Sequence, residues 1–311
     1  MSIMKIASFI PAGTSIIYEL GLQDHLIGVT FECQYPKEAK QLPKVIQCVF
    51  DSNSLSSSEI NKTVSEMKSN NQPLYTINES ILECVDIILL QDLCDVCAIG
   101  PGTVLPIIEK LKLNPKIVYL TARSLEGLYT DIHAIADASN VSDKGHILVN
   151  SMKTRVEKVA NAVKDCIPIR TICIEWLDPI YNAGHWLPGI LGIAGGYDPM
   201  AAPEAFSVAF DWSKVVELNP EMIILMPCGF DLNRTLKESS ELLPFKQGWK
   251  DILAVQNEHV YAVNGNRLFS GASPALIDGI EILASILHPS VFKIHCNDMH
   301  TNNDDYRCLF D

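Results

Sequence analysis

The chain is short of positive charge. It has 24 lysines and arginines against 37 aspartates and glutamates in 311 residues, a formal net charge of −13, and no Lys/Arg-rich run. A nucleic-acid backbone would be repelled by that balance, which argues against a nucleic-acid partner. No stretch reaches the ~18 consecutive apolar residues of a membrane-spanning helix. A G-x-S-x-G elbow, a P-loop, a G-x-G-x-x-G turn and an H-E-x-x-H helix are all missing. Without a nucleophile beside a base, the sequence argues for a binder over an enzyme. No export leader is expected, since one needs roughly 15–30 residues ahead of the mature fold. A core-type strand already occupies residues 6–10. A cytoplasmic protein with free thiols is therefore expected, and an extracytoplasmic one only if a leader had been trimmed. The ten cysteines show no regular disulfide-like spacing.

What is present is enough apolar material for a large core: 48% apolar residues with 20% charged. Short strand-like runs alternate with helix-like runs, the pattern of parallel βα units. Strands are expected at residues 6–10, 26–30, 86–90, 116–120, 170–175, 222–226 and 259–263. Helices are expected at 14–20, 106–113, 125–138, 143–166, 187–194, 212–218 and 274–287. A polar stretch at 51–71 carries Ile60, Val64 and Met67 at helical spacing, a surface helix with loose flanks. The segment 143–166 has no proline, and its only glycine, Gly145, lies near its start. A helix of that length would span about 36 Å, roughly a domain diameter. The expected fold class is α/β: two lobes with central parallel sheets flanked by helices, joined by one long backbone helix. Its expected limits are a first lobe over 1–141, the helix over 142–167, a second lobe over 168–292 and a frayed or packed tail over 293–311.

Ligands of parallel α/β sheets gather at the carboxyl ends of the strands. Four loops there combine polar, aromatic and glycine residues: 91–97, 175–186, 227–231 and 264–269. If the lobes face each other, these loops line one cleft. Trp176 and Trp186, two of only four tryptophans, suit a large planar or partly apolar ligand, or else pack in the core. Tyr181, Phe230 and Phe269 carry the same two readings. Asp92 is a polar candidate in the first loop. His185, preceded by Gly184, offers an imidazole to a metal-centred ligand or is a hydrogen-bonded loop residue. Arg234 and Arg267 pair with ligand carboxylates or phosphates, or with surface partners. Cys94-x-x-Cys97 has metal or redox spacing. With Cys228 and His185 it would make a tetrahedral set, though a strong zinc signal needs a second closely spaced pair. Buried, inert cysteines are the other reading. In the tail, His295, Cys296, His300 and Cys308 are metal-ligand types without apolar support.

The opening ASFIPAGTSIIYELGLQDHLIGVT and the closing HVYAVNGNRLFSGASPALIDGIEILASILHP resemble class III substrate-binding proteins of ABC importers. QDLCDVCA, EWLDP, AGHW, PCGFDLNRT and LFSGASPALIDG are similar to the cobalamin-binding branch of that cobalamin- and iron-chelate-binding group. The resemblance covers residues from about 5 to 289. It implies two α/β lobes, a corrinoid or related metal chelate held between aromatic residues, and an acidic residue on each lobe that docks onto a permease. Glu79 and Glu217 are the counterparts here. The export leader of such proteins is not expected here, which bears on transport more than on binding. A cytosolic corrinoid carrier would keep the fold without the permease. From a different class, a metal or iron–sulfur protein, even an enzyme, would use Cys94, Cys97, Cys228 and His185.

Overall fold

A computed structural model describes residues 4–91, 100–291 and 305–310. The chain forms two compact units. One holds residues up to Leu55 together with Lys62–Ser151, and the other Ser56–Asn61 together with residues from Met152 onward.

The first unit runs β1 (Ile6–Ser8), α1 (Pro11–Glu19), β2 (Leu26–Thr30), β3 (Lys44–Cys48), α2 (Ser57–Ser69) from Lys62 on, β4 (Tyr75–Ile77), α3 (Glu79–Leu82), β5 (Ile87–Gln91), α4 (Pro101–Lys110), β6 (Lys116–Leu120), α5 (Leu125–Ala138) and the start of α6 (Ser142–Val163). Its six strands lie in the order β4-β3-β2-β1-β5-β6. All neighbours are parallel except β3 and β4. A strand covered by helices on both faces reads as an unbroken apolar run. Accordingly Ile87, Ile88, Leu89 and Leu90 of β5 are all buried. Proline at the first helical turn starts α1 and α4, since that position needs no amide proton. For α4 the starting proline is Pro101. The expected start, Pro106, lies inside the helix instead.

The long helix α6 is unbroken over 22 residues, about 33 Å at the usual rise. Its residues through Ser151 group with the first unit and those from Met152 with the second.

The second unit continues with β7 (Ile169–Leu177), β8 (Ile180–Asn182), α7 (Leu187–Ile193), β9 (Gly196–Tyr197), α8 (Trp212–Leu218), β10 (Met222–Leu225), α9 (Leu232–Leu242), α10 (Leu253–Gln256), β11 (Val260–Val263), α11 (Gly265–Leu268), α12 (Leu276–Leu287) and β12 (Tyr306–Cys308). The sheet order is β12-β11-β10-β7-β8, with β9 beside β7. β7, β10 and β11 are parallel, while β8 and β12 are antiparallel edges. Both sheets are therefore mixed, not purely parallel. The tail, expected to be frayed or packed, is packed over its last described residues. Residues 306–308 return to the sheet as β12, with Tyr306 opposite Val263 and Cys308 opposite Tyr261. Of the tail's metal-ligand types, His295, Cys296 and His300 lie outside the described residues. The Cys308 thiol donates to the Glu258 carbonyl.

Each unit buries a carboxylate against backbone amides. Asp131 accepts from the Thr121 and Ala122 amides, and Asp198 from those of Cys173 and Met200. Burial outweighs these bonds and pushes both carboxyls up to about 6. Each group then binds its proton more readily in the folded chain than in the unfolded one. Its stability contribution is full below about pH 4 and is lost as pH rises through about 6. We therefore expect Asp198→Asn to flatten the rise in stability as pH falls from 7 to 5, measured by urea unfolding at each pH. A two-unit shift corresponds to at most roughly 3 kcal/mol. An unchanged pH profile would contradict this.

Candidate functional site

The loops that leave β7, β10 and β11 at their carboxyl ends are stitched into one cluster on the second unit. Glu175, near the end of β7, receives the Gly184 amide on its carboxylate at 3.2 Å and the Cys228 amide on its carbonyl at 3.0 Å. The Gly229 amide donates to Ser270 Oγ at 2.8 Å, and Asn266 donates to the Gly229 and Phe230 carbonyls. Trp186 Nε1 donates to the Phe269 carbonyl at 3.1 Å. The loops expected at 175–186, 227–231 and 264–269 thus meet.

At their junction His185 has φ of +54°, a left-handed conformation that costs a non-glycine residue about 1 kcal/mol or more. Two backbone bonds hold it there: its amide donates to the Ala205 carbonyl, and its own carbonyl accepts from the Glu204 amide. The half-buried imidazole lies 5.6 Å from the Trp186 ring and 5.5 Å, edge-on, from Phe206. Phe206 is 52% exposed. It was missed in the sequence, although a phenylalanine in the otherwise small and polar run 201–207 is an aromatic with no helix or strand stripe to join.

Gly184 makes this geometry possible. A Cβ there would lie 2.5 Å from the Ser207 amide nitrogen and 2.9 Å from the Ala205 carbonyl, both backbone atoms that cannot swing aside. Gly184→Ala is expected to push residues 204–207 away from His185 and to cost about 2 kcal/mol, within the usual range for overpacking. Chemical denaturation is the check, and a loss under about 0.5 kcal/mol would contradict the close approach.

Other expected site residues go elsewhere. Trp176 is half-buried, pairs with Tyr181 across β7 and β8, and meets Phe230 edge-on at 5.5 Å. Phe230 is itself 1% exposed and belongs to the core, so it is not a wall residue. The Arg234 guanidinium covers its ring at 3.6 Å. Phe269 is likewise core at 2% exposed. Its ring fills the space above Gly279, where a Cβ would lie 2.5 Å from it. Arg267 does not await a ligand anion: its guanidinium donates to Asp305 at 2.8 Å and to Asp278. Asp278 and Glu281 also hold Arg155, each at 2.7 Å.

Asp92, Cys94 and Cys97 lie outside the described residues. Cys228 is half-buried, and the seven described cysteines are free thiols. Among the described residues, no three His, Cys, Asp or Glu side chains converge on a metal-sized position. In the first unit, desolvation pushes the carboxyl of Glu32, two residues beyond β2, up to about 7. Glu79 pairs with Lys110 at 2.9 Å, and Glu217 with Lys214 at 2.7 Å, all four exposed or nearly so.

On the second unit the strand-end loops gather beside the rings of Trp186, His185 and Phe206. The chain belongs to the periplasmic binding protein family, whose model matches residues 97–266, more than half of its length. It is 28% identical over 298 residues to the uncharacterized ABC transporter substrate-binding lipoprotein YvrC of Bacillus subtilis (strain 168), covering 93% of this chain and 81% of the relative. The periplasmic vitamin B12 binding protein BtuF of Vibrio cholerae shares the fold with a TM-score of 0.64 at 19% identity, over 91% of this chain and 96% of BtuF. A periplasmic heme binding protein of Pseudomonas aeruginosa does so with a TM-score of 0.69 at 17% identity, over 92% and 93% of the two chains. This is a ligand-binding protein of the class III substrate-binding type.

Proposed function

We propose that the ligand is a corrinoid or a closely related metal chelate, bound at the loop cluster of the second unit. The observation that carries this reading is the run Trp186–His185–Phe206: exposed or half-buried aromatic surface with one imidazole at its centre. A macrocycle needs flat apolar surface for its faces, and its metal accepts a neutral imidazole nitrogen. Similarity in fold to proteins that bind vitamin B12 and heme supports the same class of ligand. Trp176, Tyr181 and Arg234 line the neighbouring edge of β7 and α9 in this proposal.

Glu79 and Glu217 are proposed as permease contacts. Their lysine partners are exposed, and such pairs are worth only about 0–1 kcal/mol, so exchanging them for permease arginines costs little. Hydrogen–deuterium exchange with and without hydroxocobalamin tests the ligand site. Protection is expected at 184–186 and 204–208. Binding that leaves these segments unprotected would move the site elsewhere.

A further inference from the structure

We propose that Asp305, in the C-terminal segment, is a positioning residue for the ligand site, setting the Trp186 indole through the turn 264–269. This rests on the ligand site proposed above and adds a part of the chain that carries no ligand contact itself.

Asp305 is 6% exposed and holds that turn twice. Its backbone carbonyl accepts the Asn264 amide at 2.8 Å, and its carboxylate accepts Arg267 Nη1 at 2.8 Å. Asn264 caps α11, its side chain accepting the Arg267 amide at 3.2 Å. The Phe269 amide closes the same turn on the Gly265 carbonyl at 2.9 Å. The Phe269 carbonyl then fixes Trp186 Nε1. β12 keeps Asp305 in place, since Leu309 donates to the Val260 carbonyl and Tyr306 lies against Tyr261. The other end of Arg267 is set by Asp278 on α12.

A guanidinium gripped by two carboxylates on different elements has one orientation, so α11 has one orientation too. Neutralising Asp305 keeps the shape of the contact but removes the charge that matches Arg267. The turn, and with it the indole's acceptor, is then free to shift.

The test uses full-length protein labelled with 5-fluorotryptophan. Its four tryptophans give four fluorine resonances, and the Trp186 signal is assigned with Trp186→Phe. In Asp305→Asn the Trp186 resonance is expected to move while those of Trp212 and Trp249 stay. Cobalamin affinity should fall by about tenfold, equivalent to one hydrogen bond of ordinary strength. Asp305→Glu, which restores the charge, should return both toward wild type. A fall in thermal stability with the Trp186 resonance and the affinity unmoved overturns the proposal, because it leaves Asp305 a merely structural role. If Asp305→Asn does not fold, Arg267→Lys asks the same question, since one ammonium cannot bridge both carboxylates as the fork does. Wild-type protein that fails to bind cobalamin counts against the ligand reading alone. The resonance shift then still decides the positioning claim.

Discussion

Arg155→Met is expected to lower the unfolding free energy by about 3 kcal/mol, the low end for breaking a buried ion pair. The reason lies in what it strands. Glu281, on α12, is only 6% exposed at its side chain, and Arg155 supplies its bidentate partner: Nε at 2.8 Å and Nη2 at 2.7 Å. Removing the guanidinium leaves a carboxylate desolvated and unpaired on a helix that otherwise buries Leu276, Ile277, Ile280, Leu283 and Leu287. Arg155 itself is 40% exposed, so solvent reaches part of the network and the low end of the range applies. Arg155→Met with Glu281→Met should recover most of the loss, because apolar residues of similar length fill the same space without a charge. Urea unfolding of the single and double variants gives both values. A single variant within 0.5 kcal/mol of wild type would show, against expectation, that Glu281 finds water or another donor at about that cost.

Trp186→Ala is expected to weaken cobalamin binding by about 2–3 kcal/mol, the range for a central aromatic anchor. The half-buried ring is held by its Nε1 bond to Phe269 and lies beside His185, so its loss removes contact area and slackens the loop together. Trp186→Phe separates the two effects, since it keeps a ring and loses the N–H donor. Isothermal titration reads the affinities. An alanine variant that folds and binds like wild type would remove Trp186 from the site.

Much of the fold was legible because burial on both faces leaves a plain signal. The runs at β5 and β10 and the apolar stripe of α12 are continuous or strictly periodic, and each formed close to where the pattern put it. Other elements were not expected from the sequence, β3, β4, α3 and α9 among them, and neither was β12. Its three residues, Tyr-Arg-Cys, are too few for a pattern and pair with a strand more than 40 residues away, between Val260 and Val263. Strands β8 and β9, of three and two residues, escape for the same reason.

For the candidate site, residue types could be read from the sequence but their placement could not. Residue type marked Trp186 and His185 as candidates, and the structure puts their rings together. Type alone does not separate an aromatic wall from an aromatic core. Phe269 is buried because Gly279, ten residues on, leaves room for its ring. Phe230 is buried because Trp176 and Arg234 cover it. Arg267 is committed because Asp278 and Asp305 converge on it from two other elements. Those partners are set by tertiary packing, which local spacing does not encode.

We propose above that this chain binds a corrinoid or a closely related metal chelate. Equilibrium titration of untagged, metal-free protein with hydroxocobalamin, followed by calorimetry and by the visible spectrum of the retained pigment, tests it most directly. The account predicts one equivalent bound, with a spectral change from imidazole ligation that is lost in His185→Ala. Protein that retains neither corrinoid nor heme under these conditions, yet binds a bare metal ion stoichiometrically, would contradict it.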